Sequence, residues 1–164
     1  MSGWRKLVVG ALGAMSLVGG SAVSVAADEG GTITEFDSMT TVTGTAVGTV
    51  NDRGILGGGV AWKITSGAGS VDRDGHVSVS VKGLVLVPTG TNPISSFRVG
   101  VSCITTTDAV APDVVSGPFA ATSTGDSTLS ATLALPHPCT RAEVFVGGAP
   151  RGTFIWFAQS NPHD

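Results

Sequence analysis

Val77, Val79 and Val81 alternate with Ser78, Ser80 and Lys82, the two-residue period of a strand with one buried face. The same period returns at Phe97, Val99, Val101 and Cys103, set against Arg98, Gly100 and Ser102. It returns again at Leu129, Ala131, Leu133 and Leu135, set against Thr128, Ser130, Thr132 and Ala134. Each run predicts a strand with its apolar side toward a core, and Cys103 falls on that side. Shorter strands are predicted at 60–65, which holds Trp62 and Ile64, and at 144–146. A weaker one at 114–119 is broken by Gly117-Pro118. Residues 84–87 are apolar on both faces just after Gly83, which predicts a bulge and a strand that becomes central. Phe154-Ile155-Trp156-Phe157 also carries large apolar groups on both faces. A central strand buried on both sides accounts for it. The sharper reading leaves one face exposed, with Trp62 nearby, as an apolar patch for binding or self-association.

Turn residues separate these runs. Asp72-Arg73-Asp74-Gly75 reads as a hairpin turn, because Asp-Gly tolerates the positive φ that tight hairpins need. Gly57-Gly58-Gly59 is a loop before the Trp62 strand, Pro88 to Pro93 is another, and Pro136 and Pro138 end the Leu129 strand. The result is about eight strands at a spacing of roughly 10–15 residues, with no helical period after residue 27. That pattern predicts one all-β domain over 51–160: an antiparallel sandwich of about seven to eight strands, immunoglobulin-like in general shape. Residues 28–50 read as a flexible Thr- and Gly-rich lead, with one edge strand between 39 and 50.

The start of the chain has a different character. Met1-Ser2-Gly3-Trp4-Arg5-Lys6 is a short positive segment, and the residues from Leu7 to Ala27 carry no charge. The stretch closes with Val25-Ala26-Ala27, just before Asp28 and Glu29. Positive start, apolar middle and small residues at the end predict a signal peptide over 1–27, cut after Ala27. A retained anchor at 7–25 is the alternative, since that length just spans a bilayer. It is rich in Gly, Ser and Ala, and no Lys or Arg follows until Arg53, so its flanks are weak for a stop-transfer helix. After cleavage no membrane association is expected.

Export changes the reading of charge and cysteine. Of nine Lys and Arg in the chain, Arg5 and Lys6 leave with the leader; seven bases then face all twelve acids, for a net charge of −5. No basic run occurs, which argues against nucleic acid or an anionic membrane as partner. Tyr is absent, which weakens a reading as a broad sugar-binding or antibody-like face. The only cysteines, Cys103 and Cys139, are predicted to form a disulfide outside the cytoplasm. Their wide spacing, with no Cys-x-x-Cys, does not suit a reactive thiol pair.

No motif for catalysis, cofactor or metal stands out. Asp72-x-Asp74-Gly75 shares its first residues with a calcium loop, but no third ligand or nearby Glu follows, and a hairpin turn explains it. His76, His137 and His163 lack the spacing of a zinc site. Gly-x-Ser-x-Gly is missing, although a Ser-His-Asp triad is never excluded by order alone. A carboxylate pair for glycoside hydrolysis has few sources, and Glu143 is the sole Glu beyond Glu35. Gly57-Gly58-Gly59 has no Lys-Ser/Thr after it and is no phosphate loop. The candidate binding residues are therefore Trp62, Phe154 and Trp156, with Arg98 on the polar face of its strand.

Several short segments together resemble a group of small secreted proteins of actinobacteria. They are Arg53-Gly54, Gly57-Gly58-Gly59 with Trp62 and Ile64, Asp74-Gly75, 83–86, Asn92-Pro93, Phe97-Arg98 with Val101-Ser102-Cys103, Thr124-Gly125-Asp126, Leu135-Pro136 with Pro138-Cys139, and Val144-Phe145-Val146. The likeness spans roughly residues 51–158 and the leader. It implies export, one compact β domain, a Cys103–Cys139 pair and an aromatic-rich final strand at 154–157. It carries over no activity and no functional residues. The expected function is a non-catalytic extracellular or cell-surface protein that acts by binding or self-association, with the cell wall as a possible partner. The alternatives are a diffusible small-ligand binder or inhibitor with an apolar pocket near Trp62 and Trp156, and an unrecognised extracellular hydrolase.

Overall fold

The computed structural model describes residues 31–110 and 113–161. The expected leader at 1–27, its expected cut after Ala27, and His163 lie outside the described residues. The fold is built of strands: β1 (Thr32–Phe36), β2 (Met39–Thr41), β3 (Leu56–Gly57), β4 (Trp62–Lys63), β5 (Ser66–Asp72), β6 (His76–Lys82), β7 (Val85–Leu86), β8 (Ser96–Ile104), β9 (Val114–Val115), β10 (Phe119–Ala120), β11 (Ser127–Thr132), β12 (Arg141–Gly148) and β13 (Ile155–Ser160). Seven of these (β1, β5, β6, β8, β11, β12 and β13) have five or more residues; β5 is not among the expected strands, and those expected at 60–65, 84–87 and 114–119 shrink to two-residue pieces. The remaining six are fragments of two or three residues.

Two antiparallel sheets make a sandwich. The smaller runs β1-β5-β6-β11 and the larger β10-β8-β12-β13-β2. β9 adds to β8, β3 adds to β13 in parallel, and β4 with β7 forms a separate ribbon. Val77, Val79, Val81 and Leu129 on the small sheet are at most 1% exposed, while Ser78, Ser80, Thr128 and Ser130 are exposed. On the large sheet Phe97, Val99, Val101, Cys103, Val144 and Val146 are buried likewise. Trp62 enters this layer from β4, stacked on Phe157 at 4.1 Å and edge-on to Phe97 at 6.4 Å. Burial of such a side chain stabilises the fold by roughly 1.5–3 kcal/mol.

The Asp72–Gly75 turn forms as predicted, between β5 and β6. Asp72 Oδ1 accepts from the amides of Asp74 at 3.0 Å and His76 at 2.9 Å, an Asx turn that starts the hairpin. Gly75 has φ +82°, and its carbonyl accepts from Leu133 N–H at 2.8 Å. A Cβ at Gly75 would overlap the Leu133 carbonyl oxygen. We therefore expect Gly75→Val to cost about 2 kcal/mol or more, from left-handed strain plus loss of that contact, read as a lower urea midpoint.

Two expectations need correction. Residues 84–87 do not become a central strand: β6 stops at Lys82, and Gly83 turns at φ +64° with its N–H donated to Asp126 Oδ1 at 2.9 Å. Beyond the turn, β7 leaves the sheet to pair with β4. Nor is the segment before residue 51 merely a lead with one edge strand. β1 and β2 close one edge of each sheet, and Phe36, Met39 and Val42 are 2%, 8% and 0% exposed. Short polar strands supply the main-chain pairing there, and three separated apolar side chains fill the core.

Cys103 and Cys139 are joined, with Cα atoms 5.0 Å apart and a separation of 36 residues. The bond ties the inner face of β8 to the segment that leads into β12.

Candidate functional site

The pairing of β8 with β12 sets which side chains share the outer face of the large sheet. Arg141 lies opposite Ile104, Glu143 opposite Ser102, Phe145 opposite Gly100 and Gly147 opposite Arg98. Trp156 pairs with Gly147, so it joins the same face, and its ring meets Phe145 edge-on at 6.1 Å. Glycine at 100 leaves room for Phe154: a Cβ there would stand 2.9 Å from that ring. Residues 155–157 thus begin the interior strand β13, with Phe157 in the inner layer and Trp156 in the outer one, and Phe154 lies just before it.

This arrangement decides the fate of the aromatic candidates. Trp62 and Trp156 are each 3% exposed and lie on opposite sides of the large sheet; Phe154 is half-buried. They form no common exposed patch. The place expected for an apolar pocket near the tryptophans is filled by their own ring contacts. Arg98 is half-buried, and its Nη1 donates to the Ser116 carbonyl at 2.8 Å. It borders a groove of about 330 Å³ with Pro93, Ile94, Pro150 and Phe157.

A charged cluster sits on the same outer face. Asn51 Oδ1 accepts from the amides of Arg53 at 3.1 Å and Ile55 at 2.9 Å, and Gly54 at φ +82° completes the turn. The turn aims Arg53 at β12, where its Nε meets Glu143 Oε2 at 2.9 Å. The two side chains are only 13% and 14% exposed. Burial pushes the Glu143 carboxyl above its ordinary range; Arg53 pulls it back, and nearby Asp52 raises it further. Partial desolvation also raises Asp113, which stays exposed at the surface, against the pull of the Ser102 hydroxyl and Arg53.

Ser102 is fully buried, and its hydroxyl hydrogen-bonds the Asp113 carboxylate, which favours the ionised form. Asn51 Nδ2 and Trp156 Nε1 are buried without a partner among the described residues. An unpaired buried polar group costs about 1–3 kcal/mol, so each is a place where the fold gives up stability. Arg141, two residues before Glu143, spends its Nη2 on Asp108 Oδ1 at 2.6 Å in an exposed pair. Beside the cluster runs an open groove of about 570 Å³, lined by Glu35, Arg53, Thr140, Arg141 and Glu143.

Glu35 and Glu143, the glutamates expected as sources of a carboxylate pair, therefore both border this groove. Glu143 is held by a guanidinium rather than free to transfer a proton. The other cluster of ionisable groups is Asp72, Asp74 and His76, whose ligand atoms lie within 4.8 Å of one another. Burial works against ionisation of Asp72, but hydrogen bonds from His76 and Asp74 outweigh it, and the carboxyl is held below its ordinary range. Its Oδ2 meets His76 Nδ1 at 2.9 Å, so these groups already serve the hairpin. His137 is not part of that group and lines a pocket with Ile33, Arg73, Leu135 and Pro138.

No family model matches this chain, and neither the curated proteins nor the solved structures contain a match.

Proposed function

We propose that the chain is an exported, non-catalytic protein of the extracellular space or cell surface that acts by binding. An immunoglobulin-like sandwich is the scaffold in this reading, and the outer-face cluster around Arg53 is the contact site. The observation that carries it is the Arg53–Glu143 pair, sunk in the sheet face with Asp52 and Asp113 close by. A fold that only needed stability would gain by filling such a place with apolar side chains. The disulfide supports the compartment, since such bonds persist outside the cytoplasm. The leader at 1–27 supports the route. A surplus of acids over bases argues for a partner other than nucleic acid.

Fractionation of cells that make the protein tests this. The protein is expected in the medium or the wall fraction; accumulation of the folded, reduced chain in the cytoplasm contradicts the reading. Wall retention that falls as salt is raised points to a charged contact, the kind the Arg53 cluster offers.

A further inference from the structure

Arg98 carries a positive charge that no acid answers. Arg53 and Arg141 pair with Glu143 and Asp108. Arg98 is half-buried, and its one hydrogen bond among the described residues runs from Nη1 to the Ser116 carbonyl at 2.8 Å. A guanidinium has five N–H donors, so the edge formed by Nε and Nη2 is left without an acceptor. The carbonyl that holds Nη1 is itself fixed. Ser116 is 5% exposed, its amide donates to the Val99 carbonyl at 2.9 Å, and its hydroxyl accepts from the Val99 amide at 3.0 Å and donates to the Gly117 carbonyl at 2.8 Å. The guanidinium is thereby held in place instead of sweeping through solvent. It lines the groove of about 330 Å³ at the start of β8 and the end of β12, and no carboxylate lines that groove. Ile94, Pro150 and Phe157 give it apolar walls, and Trp62 backs the Phe157 ring at 4.1 Å. Gly148 keeps it open: a Cβ there would stand 3.2 Å from Ile94 Cδ1 and 3.3 Å from the Phe157 ring.

We propose that this groove binds a small carboxylic acid with an apolar body, such as an aryl acid, with its carboxylate on Arg98. A carboxylate accepts two parallel hydrogen bonds from one edge of a guanidinium, and partial burial of the cation strengthens them. The body of the acid then covers Ile94, Pro150 and Phe157, and Ser95 and Ser96 supply polar groups on the same groove. Pockets for small molecules span about 300–1,000 Å³, so this one suits a compact acid better than a long lipid chain. Inorganic phosphate would satisfy the guanidinium and leave the apolar walls in water. The site is separate from the Arg53 cluster, with which it shares no lining residue.

The test titrates phenylacetate into the folded, disulfide-bonded protein and follows the Arg98 Nε–H and the main-chain amides by NMR. Saturable shifts are expected at Arg98, Ile94 and Gly148, with little change at Arg53 and Arg141. Phenylacetamide has the same body without the charge and should bind at least about tenfold more weakly, as loss of charged hydrogen bonds requires. Arg98→Lys keeps the charge without the two-pronged geometry and should weaken phenylacetate about tenfold. Arg98→Met should weaken it at least as much. Equal affinity for the acid and the amide would overturn the proposal, and that comparison needs no variant. Shifts of equal size at Arg53 and Arg141 would also overturn it, since they would report a general attraction of anions to arginine. So would phosphate binding as tightly as phenylacetate, or an unchanged affinity in a folded Arg98→Met protein. None of these results bears on the fractionation outcome, so the two readings fail separately.

Discussion

Arg53→Met is expected to destabilise the protein by about 3 kcal/mol at neutral pH, and Glu143→Gln by less, because Asp113 still offsets part of the Arg53 charge. The two changes break the same ion pair from opposite sides. Removing the arginine leaves the Glu143 carboxylate in a face where it is 14% exposed, with Asp52 close by and no counter-charge. Breaking a buried pair in that way is far costlier than neutralising it, because the stranded charge keeps its desolvation penalty. Glutamine keeps the shape and can still accept from Arg53.

The pH dependence follows from the direction of the shift. The folded-state pKa of Glu143 is raised above its ordinary 4.5, so ionised Glu143 weakens the fold. The penalty is full above the folded-state value, shrinks as pH falls through it, and is gone below the unfolded value. Arg53→Met removes an influence that lowers this pKa, so it widens the window. Urea unfolding of the variant at a series of pH values should show the deficit large at neutral pH and small in mild acid. A deficit of equal size at every pH would mean that the arginine acts through packing alone.

Removing the disulfide, as Cys103→Ala with Cys139→Ser, is expected to cost about 3–4 kcal/mol. Loop-closure entropy sets that scale for residues 36 apart, because the bond withdraws conformations from the unfolded chain. Reduction of the wild-type protein should bring its urea midpoint to that of the variant. The bond also anchors the segment before β12, and Leu135 beside it is 6% exposed, so local packing adds to the entropy. A variant as stable as the oxidised protein would show that the segment is held by packing and not by the bond.

The framework of the fold was legible where one physical signal dominated. Alternation at Val77, Val79 and Val81, at Phe97 to Cys103 and at Leu129 is a direct imprint of a half-buried strand, and those positions are the core, with Ala131 partly buried against it. Asp-Gly at 74–75 marked the hairpin because few other dipeptides accept that backbone. The run 154–157 was readable as a strand buried on both faces; which ring went to which layer was not. That depends on the irregular register between Val146 and Gly147, set by the neighbouring strand.

Where the sequence misled, tertiary pairing overrode a local pattern. Residues 84–87 look like a central strand by composition, yet Gly83 and the acceptor at Asp126 turn the chain away. Thr32 to Phe36 looks like a loose lead, yet pairs with β5. The charged cluster was the least legible part. Glu143 stood out only as one of few glutamates, and nothing near Arg53 in sequence announces a partner some ninety positions on. One local signal was present: Asn51 followed three residues later by Gly54 is a turn, and a turn fixes where Arg53 points. Ser102 read as one more polar residue on a strand face, and only its hydrogen bond to Asp113 gives it significance.

The most direct test of the account is the intact mass of the native protein recovered from outside the cell, measured with and without reductant. The account predicts a chain that begins at Asp28 and gains about 2 Da on reduction, the two hydrogens taken up by Cys103 and Cys139. A chain that retains residues 1–27, or one whose mass does not change on reduction, would contradict it.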